Sequence, residues 1–211
     1  VASAHPYATE AGLDILRRGG NAFDAVVAVA TTLNVVEPFM SGMGGIGVAL
    51  VYIEKEKRTR VLNFSGHAPK AADPVLYNED NIETGPLAPL IPGNVGGWLT
   101  MHNEYGSADR STLFRRAISY ASEGVALTPF NVANVILAME RVQQFEPSLA
   151  ALDFDTKNLS IGSILRQPML SDSLAAVADG GIEEFYEGKL GDKIIEGHQA
   201  LGGIIGREEL A

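Results

Sequence analysis

Apolar and polar positions follow three rhythms along this chain, and the first is helical. Ala8, Ala11, Ile15 and Leu16 recur on one helical face, with Glu10, Asp14, Arg17 and Arg18 on another, which predicts an amphipathic helix. Gly19 and Gly20 are placed to supply the left-handed conformations that close it. Asn21 is placed to cap a second helix, with Asp24 in its first turn. Residues 25–30 with Leu33, Val35 and Val36 leave this second stretch almost no polar face, so it reads as a core helix covered on all sides until Pro38 stops it. It falls short of the roughly 20 apolar residues of a membrane span.

The rhythm then shifts to strands. Ser41-Gly42-Met43-Gly44-Gly45-Ile46-Gly47 enters an apolar strand, and residues 47 to 53 and 60 to 64 are expected to pair as a hairpin. Its solvated tip carries Lys55, Lys57, Arg58 and Arg60 mixed with Glu54 and Glu56. The glycine cluster loosely resembles a phosphate-binding turn, yet such a loop follows a strand and opens a helix. Here a helix precedes and a strand follows, so no helix N-terminus would face a phosphate. Close packing of a sharply turning backbone, or a loop bordering an active site, accounts for the glycines better.

From residue 65 to 92 the pattern is irregular. Pro69, Pro74, Pro86, Pro89 and Pro92 break the stretch, while Val75, Leu76, Tyr77, Leu87, Leu90 and Ile91 give it apolar anchors. So long an irregular segment in a compact domain usually has a job or is mobile. After Gly93 the reading is helical. Val95, Trp98, Leu99 and Met101 begin one helix, and Leu113, Phe114, Ala117, Ile118 and Ala121 line another. Thr128-Pro129 starts a third that runs through 130 to 145. Leu170, Leu174, Val177 and Ala178 form a further stripe, and Ile194, Ile195 and Leu201 the last. The fold class is α+β, divided into residues 1–92 (helices, first strands and the irregular loop) and 93–211 (mainly helical).

Composition narrows the function. The 211 residues hold 16 Lys and Arg against 26 Asp and Glu, a formal charge of -10, which argues against nucleic acid as a partner because neutralising phosphates needs a basic face. With no cysteine there is no disulfide, thiolate metal site or cysteine nucleophile. Four histidines, His5, His67, His102 and His198, without paired spacing make a metal site improbable. Asp153 to Asn158 resembles the opening of a calcium loop but lacks the glycine at its sixth place and the glutamate at its twelfth, where Ile164 stands. Thr31, Thr32, Ser111 and Thr112 sit within elements, without a free amine or a nearby histidine in sequence, and read as helix or cap residues. No cofactor and no membrane partner are expected.

Taken in order, a series of short motifs resembles the large subunit of the gamma-glutamyltranspeptidase family, a branch of the N-terminal nucleophile hydrolases. They run from Ser3-Ala4-His5-Pro6 and Ile15-Leu16-Arg17-Arg18-Gly19-Gly20-Asn21-Ala22 through Asn34-Val35-Val36-Glu37-Pro38, Met40-Ser41-Gly42 and Gly44-Gly45. Downstream come Pro92-Gly93, Tyr105-Gly106, Glu123-Gly124, Leu165-Arg166-Gln167-Pro168, Phe185-Tyr186-Glu187-Gly188, Gly202-Gly203 and Glu209-Leu210-Ala211. Each is weak alone; their order carries the resemblance.

The resemblance implies part of an αββα sandwich with a helical subdomain, and an enzyme whose nucleophile is the N-terminal threonine of a second, smaller subunit freed by self-cleavage. The chain then looks like the first part of a large subunit, ending before the processing site, and holds no catalytic residue of its own, since Val1 has no hydroxyl. The implied substrate is a small gamma-glutamyl amide such as glutathione. In this family an arginine at the place of Ser65 grips the donor's α-carboxylate, and some relatives place an arginine two residues later, where this chain has His67. Ser65, Gly66 and His67 are therefore the candidate substrate-binding residues. Loss of the arginine makes an acylase with a different acyl donor the second reading, and a non-catalytic scaffold the third.

Overall fold

A computed structural model describes residues 1–145 and 159–210. In chain order the elements are α1 (Pro6–Arg17), α2 (Ala22–Val36), β1 (Gly47–Ile53), β2 (Arg58–Phe64), α3 (Asn94–Tyr105), α4 (Arg110–Glu123), β3 (Val125–Ala126), α5 (Pro129–Val142), β4 (Ile164–Leu165), α6 (Pro168–Tyr186), α7 (Lys189–Ala200) and α8 (Arg207–Leu210). Contacts divide the chain into two compact units, each assembled from two stretches: Val1–Gly42 with Gly106–Asp179, and Met43–Tyr105 with Gly180–Ala211. Residue 92 falls inside the second unit. The stretch 153–158, read for its calcium-loop likeness, lies outside the described residues.

In the first unit α1 begins with His5 as its cap, the Nδ1 atom accepting from the Tyr7 N–H at 3.2 Å, and Pro6 enters without needing a partner for a missing N–H. Ala8, Ala11 and Ile15 are buried, whereas Leu16, expected on the same stripe, is 39% exposed. Of the two glycines that follow, only Gly19 takes the left-handed conformation, at φ 91°. Gly20 is there for space, since a Cβ would stand 2.6 Å from Ile15 Cγ2.

Helix α2 is closed at its start by a reciprocal cap: Asn21 Oδ1 accepts from the Phe23 and Asp24 N–H groups, and Asp24 Oδ2 accepts from the Asn21 N–H at 2.8 Å. It is buried along most of its length but not on all sides, because Val26 keeps 44% of its surface exposed. Thr31 and Thr32 are fully buried, and their hydroxyls donate back to carbonyls one turn earlier, Val27 and Ala28, at 3.0 and 2.7 Å.

Asp24 does more than cap. The Ser107 N–H and Oγ–H reach it at 2.9 and 2.7 Å, so a carboxylate with no exposed surface joins the start of α2 to the approach to α4. Burial pushes this carboxyl up, and the hydrogen bonds from Asn21, Ser107 and Ala108 outweigh it, so Asp24 stays below the usual carboxylate range. At the other end of α2, two buried side-chain amides from elsewhere in the unit satisfy carbonyls that a helix leaves open. Gln167 Nε2 donates to the Val35 carbonyl at 2.7 Å and Asn131 Nδ2 to the Val36 carbonyl at 2.9 Å. Leu113, Phe114, Ala117 and Ala121 of α4 and Leu174 and Val177 of α6 complete the core. Past Asp179 the backbone of α6 breaks at Gly181, φ 76° and ψ -151°.

The second unit is built on the β1–β2 hairpin, antiparallel from Gly47↔Phe64 to Ile53↔Arg58. The second strand starts at Arg58, two residues earlier than the polar pattern suggests, because a 3₁₀ turn at Glu54–Glu56 and left-handed Lys57 (φ 51°) complete the reversal within four residues. The ring of Phe64 packs where Gly47 and Gly97 offer no side chain: a Cβ at Gly97 would lie 2.2 Å from the ring and one at Gly47 2.5 Å. Val95, Trp98, Leu99 and Met101 bury the same helix, α3. Tyr186 ties down its entry, donating from Oη to the Pro92 carbonyl and accepting from the Gly96 N–H, both at 3.0 Å. Val48, Leu50, Tyr52 and Val61 of the hairpin remain exposed, Leu50 by 73%.

Two stability outcomes follow. Asp24→Asn keeps the shape but removes the charge that accepts these hydrogen bonds, at a cost of about 2–3 kcal/mol near neutral pH. Because the folded carboxyl is held low, its contribution is complete above the unfolded value of about 3.9 and fades as the pH drops through the folded one. Urea unfolding of both proteins should therefore show a gap that closes below about pH 4, and a gap independent of pH would assign the effect to packing alone. Gly97→Ala gains helix propensity but drives a methyl into the Phe64 ring, for a net loss of about 1–2 kcal/mol. Adding Phe64→Leu should recover part of it in a double-mutant cycle; additive losses would show that the two sites do not meet.

Candidate functional site

The three candidate residues occupy the turn that leaves β2. Asn63, two residues before Ser65, holds it: Asn63 Oδ1 accepts from the Ser65 N–H at 3.0 Å and the Ser65 Oγ–H at 2.6 Å. The hydroxyl standing where an arginine was sought is thus already engaged. Gly66 is left-handed at φ 73°, and a Cβ there would fall 2.3 Å from the Ile91 carbonyl oxygen, so a side chain is excluded by both strain and space. The Ile91 N–H donates to the His67 carbonyl at 3.0 Å, which fixes the turn against residues 91–93. Gly93 lies equally close, its absent Cβ 2.0 Å from the Phe64 carbonyl oxygen. His67 is exposed and its Nδ1 donates to the Ala68 carbonyl at 3.0 Å, which leaves Nε2 for another partner. The structure therefore brings Ser65, Gly66 and His67 together on one anchored, solvent-facing turn.

Past the turn, the loop closes on itself through short-range bonds. Asp73 caps the 3₁₀ turn Pro74–Leu76 by accepting from the Val75 N–H at 2.9 Å, and Asn81 Nδ2 donates to the Leu76 carbonyl at 2.9 Å. Pro69, Ala72, Tyr77, Ile82, Leu87 and Leu90 line an open apolar cleft of about 320 Å³. One long-range contact secures its near end. Glu209, in α8, accepts from the Lys70 N–H through Oε1 and from the Gly206 N–H through Oε2 at 2.7 Å. The Gly206 N–H first, then that of Lys70, hold the Glu209 carboxyl below the usual range.

Sequence reasoning missed Asn63 and Glu209. The first had a local signal, since an Asn two places before a serine is a ready turn former. The second had none, being 139 residues from Lys70.

His5, His198 and the glycine run are accounted for structurally. His5 is a cap whose ionisation burial disfavours, with a partly opposing hydrogen bond to Asn131. The His198 ring fills the space left open at Gly203, where a Cβ would come within 2.2 Å of it, and burial lowers its basicity. Gly45, within the glycine run, accepts at its carbonyl from the Gly93 and Asn94 N–H groups, both at 2.9 Å, so the start of α3 is engaged by backbone. Glu37 is 4% exposed, its Oε1 has no hydrogen-bond partner among the described residues, and burial pushes its carboxyl up. Among the described residues no three His, Cys, Asp or Glu side chains group as a metal site, and no helix is long and apolar enough to cross a membrane.

Comparison with known proteins now adds to this geometry. The family described as Gamma-glutamyltranspeptidase matches residues 8–211. The glutathione hydrolase proenzyme of Bacillus subtilis is 31% identical over 224 aligned residues, covering all of this chain and 37% of that protein. That of Escherichia coli is 32% identical and covered to 38%. The chain thus spans well under half the length of these curated relatives. The crystal structure of Helicobacter pylori gamma-glutamyltranspeptidase superposes with a TM-score of 0.92 at 31% identity, over 99% of this chain and 62% of that one. Cephalosporin acylase from Bacillus halodurans superposes at 0.86 with 32% identity, over 98% and 40%. The α+β class read from the sequence is the one these structures share. With the match extending from α1 to the last residue, the chain belongs to the gamma-glutamyltranspeptidase family.

Proposed function

We propose that the protein to which this chain contributes hydrolyses gamma-glutamyl amides such as glutathione, or transfers their acyl group to an amine. The observation that carries this reading is the family match over residues 8–211, supported by glutathione hydrolases at 31–32% identity. The nucleophile is the N-terminal threonine of a second subunit released by self-cleavage of a proenzyme. Its α-amine takes the hydroxyl proton as the oxygen attacks the donor's amide carbon; the amine leaves with that proton, and water or an acceptor amine then resolves the acyl-enzyme. This chain supplies walls and the turn Ser65-Gly66-His67, which lies at the donor's carboxylate end.

A second reading, an acylase of the same family with a donor lacking that carboxylate, is favoured by Ser65. A guanidinium offers a carboxylate a bidentate, charge-assisted grip, whereas the Ser65 hydroxyl is neutral and already donates to Asn63. His67, exposed on the same turn, can supply a cationic donor there when protonated.

Two experiments bear on these readings. The full-length precursor should separate on standing into two chains, the second beginning with threonine by mass and N-terminal sequencing. Replacing that threonine with alanine should abolish both cleavage and amide hydrolysis, and activity surviving the replacement would remove the proposed nucleophile. Next, hydrolysis of gamma-glutamyl, glutaryl and butyryl anilides is to be compared in the wild type and in Ser65→Arg. Restoring two charge-assisted hydrogen bonds should raise kcat/KM for the gamma-glutamyl donor about tenfold or more over the butyryl one. An unchanged ratio in a folded variant would mean that position 65 does not face the donor.

A further inference from the structure

The contact between α8 and the loop after Ser65-Gly66-His67 has a chemistry of its own. Glu209 is half-buried, with both carboxylate oxygens engaged by backbone N–H groups, one from its own helix start at Gly206 and one from Lys70. The Gly206 bond is an ordinary capping interaction, and any acceptor serves for it. The Lys70 bond is different, because it fixes the backbone three residues beyond His67 and brings a full negative charge to that end of the turn. Lys70 and then His67 act on the Glu209 carboxylate electrostatically, each favouring its charged form. A carboxylate held by two N–H donors stays charged, so this charge is permanent under ordinary conditions.

The consequence falls on whatever anion approaches the turn. Ser65 contributes no charge, and the groups at the turn able to carry a positive one are the exposed His67 imidazole and, three residues on, the exposed Lys70 ammonium. A fixed carboxylate bonded to the Lys70 N–H offsets the attraction that these cations exert on a substrate carboxylate. A neutral acyl group feels no such offset.

We propose that Glu209 is a specificity-determining residue, its carboxylate positioning the Lys70 backbone and setting a negative charge at the His67–Lys70 end of the turn that weakens selection for donors bearing a carboxylate over neutral ones. This rests on the reading that the turn lies at the donor's carboxylate end, and it deepens that reading by naming the residue that tunes it. Glu209 acts through His67 and Lys70, so it is a positioning residue and touches no reacting atom.

The test uses the full precursor and two ligands that are not turned over, glutarate and butyramide, with affinities measured by NMR titration. Glu209→Gln keeps an oxygen acceptor for Lys70 and removes the charge, whereas Glu209→Asp keeps the charge, and thermal melting checks that each variant is folded. The affinity ratio of glutarate over butyramide should rise about three- to tenfold in the Gln variant and stay near that of wild type in the Asp variant. A purely structural cap would weaken both ligands together and leave the ratio unmoved. An unmoved ratio in folded Glu209→Gln, or no binding of either ligand to any form, overturns the proposal. A precursor that shows the predicted ratio but hydrolyses none of the anilides leaves Glu209's role standing and overturns the amide-hydrolase reading instead.

Discussion

A buried helix has to find partners for the backbone groups at its two ends, and α2 meets much of that demand with polar side chains. Its interior can be as apolar as it is only because Asn21, Asp24 and the Ser107 amide occupy one end and Gln167 and Asn131 the other. These partners come from positions up to 132 residues away, so closing the ends of one helix also sets where α4, α5 and the start of α6 lie within the unit. An apolar residue at any of them would leave a carbonyl or an N–H buried without a partner, which costs more than the packing gained. The amphipathic helices of the first unit are arranged around this requirement.

Elements with local causes were legible in the sequence. The capping pair Asn21 and Asp24, the Pro38 stop, the Thr128-Pro129 start and the buried faces of α3 and α4 each depend on residues within one or two turns. What could not be read depends on tertiary placement. Leu16 has the spacing of a core residue yet keeps its surface, and Gly20 serves close approach to Ile15 rather than a left-handed turn. The earlier start of β2 follows from a 3₁₀ turn that polar residues mask, since a charged sequence such as 54–58 carries no apolar alternation to mark the strand's edge. At the candidate site, Ser65, Gly66 and His67 were found by resemblance, while the groups that hold them, Asn63 and Glu209, act through hydrogen bonds to backbone and so leave little trace in a pattern of apolar residues.

The turn itself is defined mainly by what it lacks. At Gly66 and Gly93 an added Cβ would fall 2.3 and 2.0 Å from a carbonyl oxygen, so the segment from β2 and the segment entering α3 run in backbone contact with no side chain between them. That tightness leaves the chemistry of the turn to its exposed side, where a neutral hydroxyl and an imidazole replace the planar cation that a carboxylate favours. Recognition there rests on placement and on the surrounding charge more than on any one strong contact.

The hairpin of the second unit carries a consequence of another kind. Val48, Leu50, Tyr52 and Val61 lie open to solvent on strands that, among the described residues, pair only with each other. Unpaired strand borders beside bulky apolar side chains are templates for sheet growth from molecule to molecule. Handled as a separate polypeptide, this chain would therefore self-associate through its ribbon, and its colloidal behaviour would be governed by that short stretch rather than by its net charge of -10.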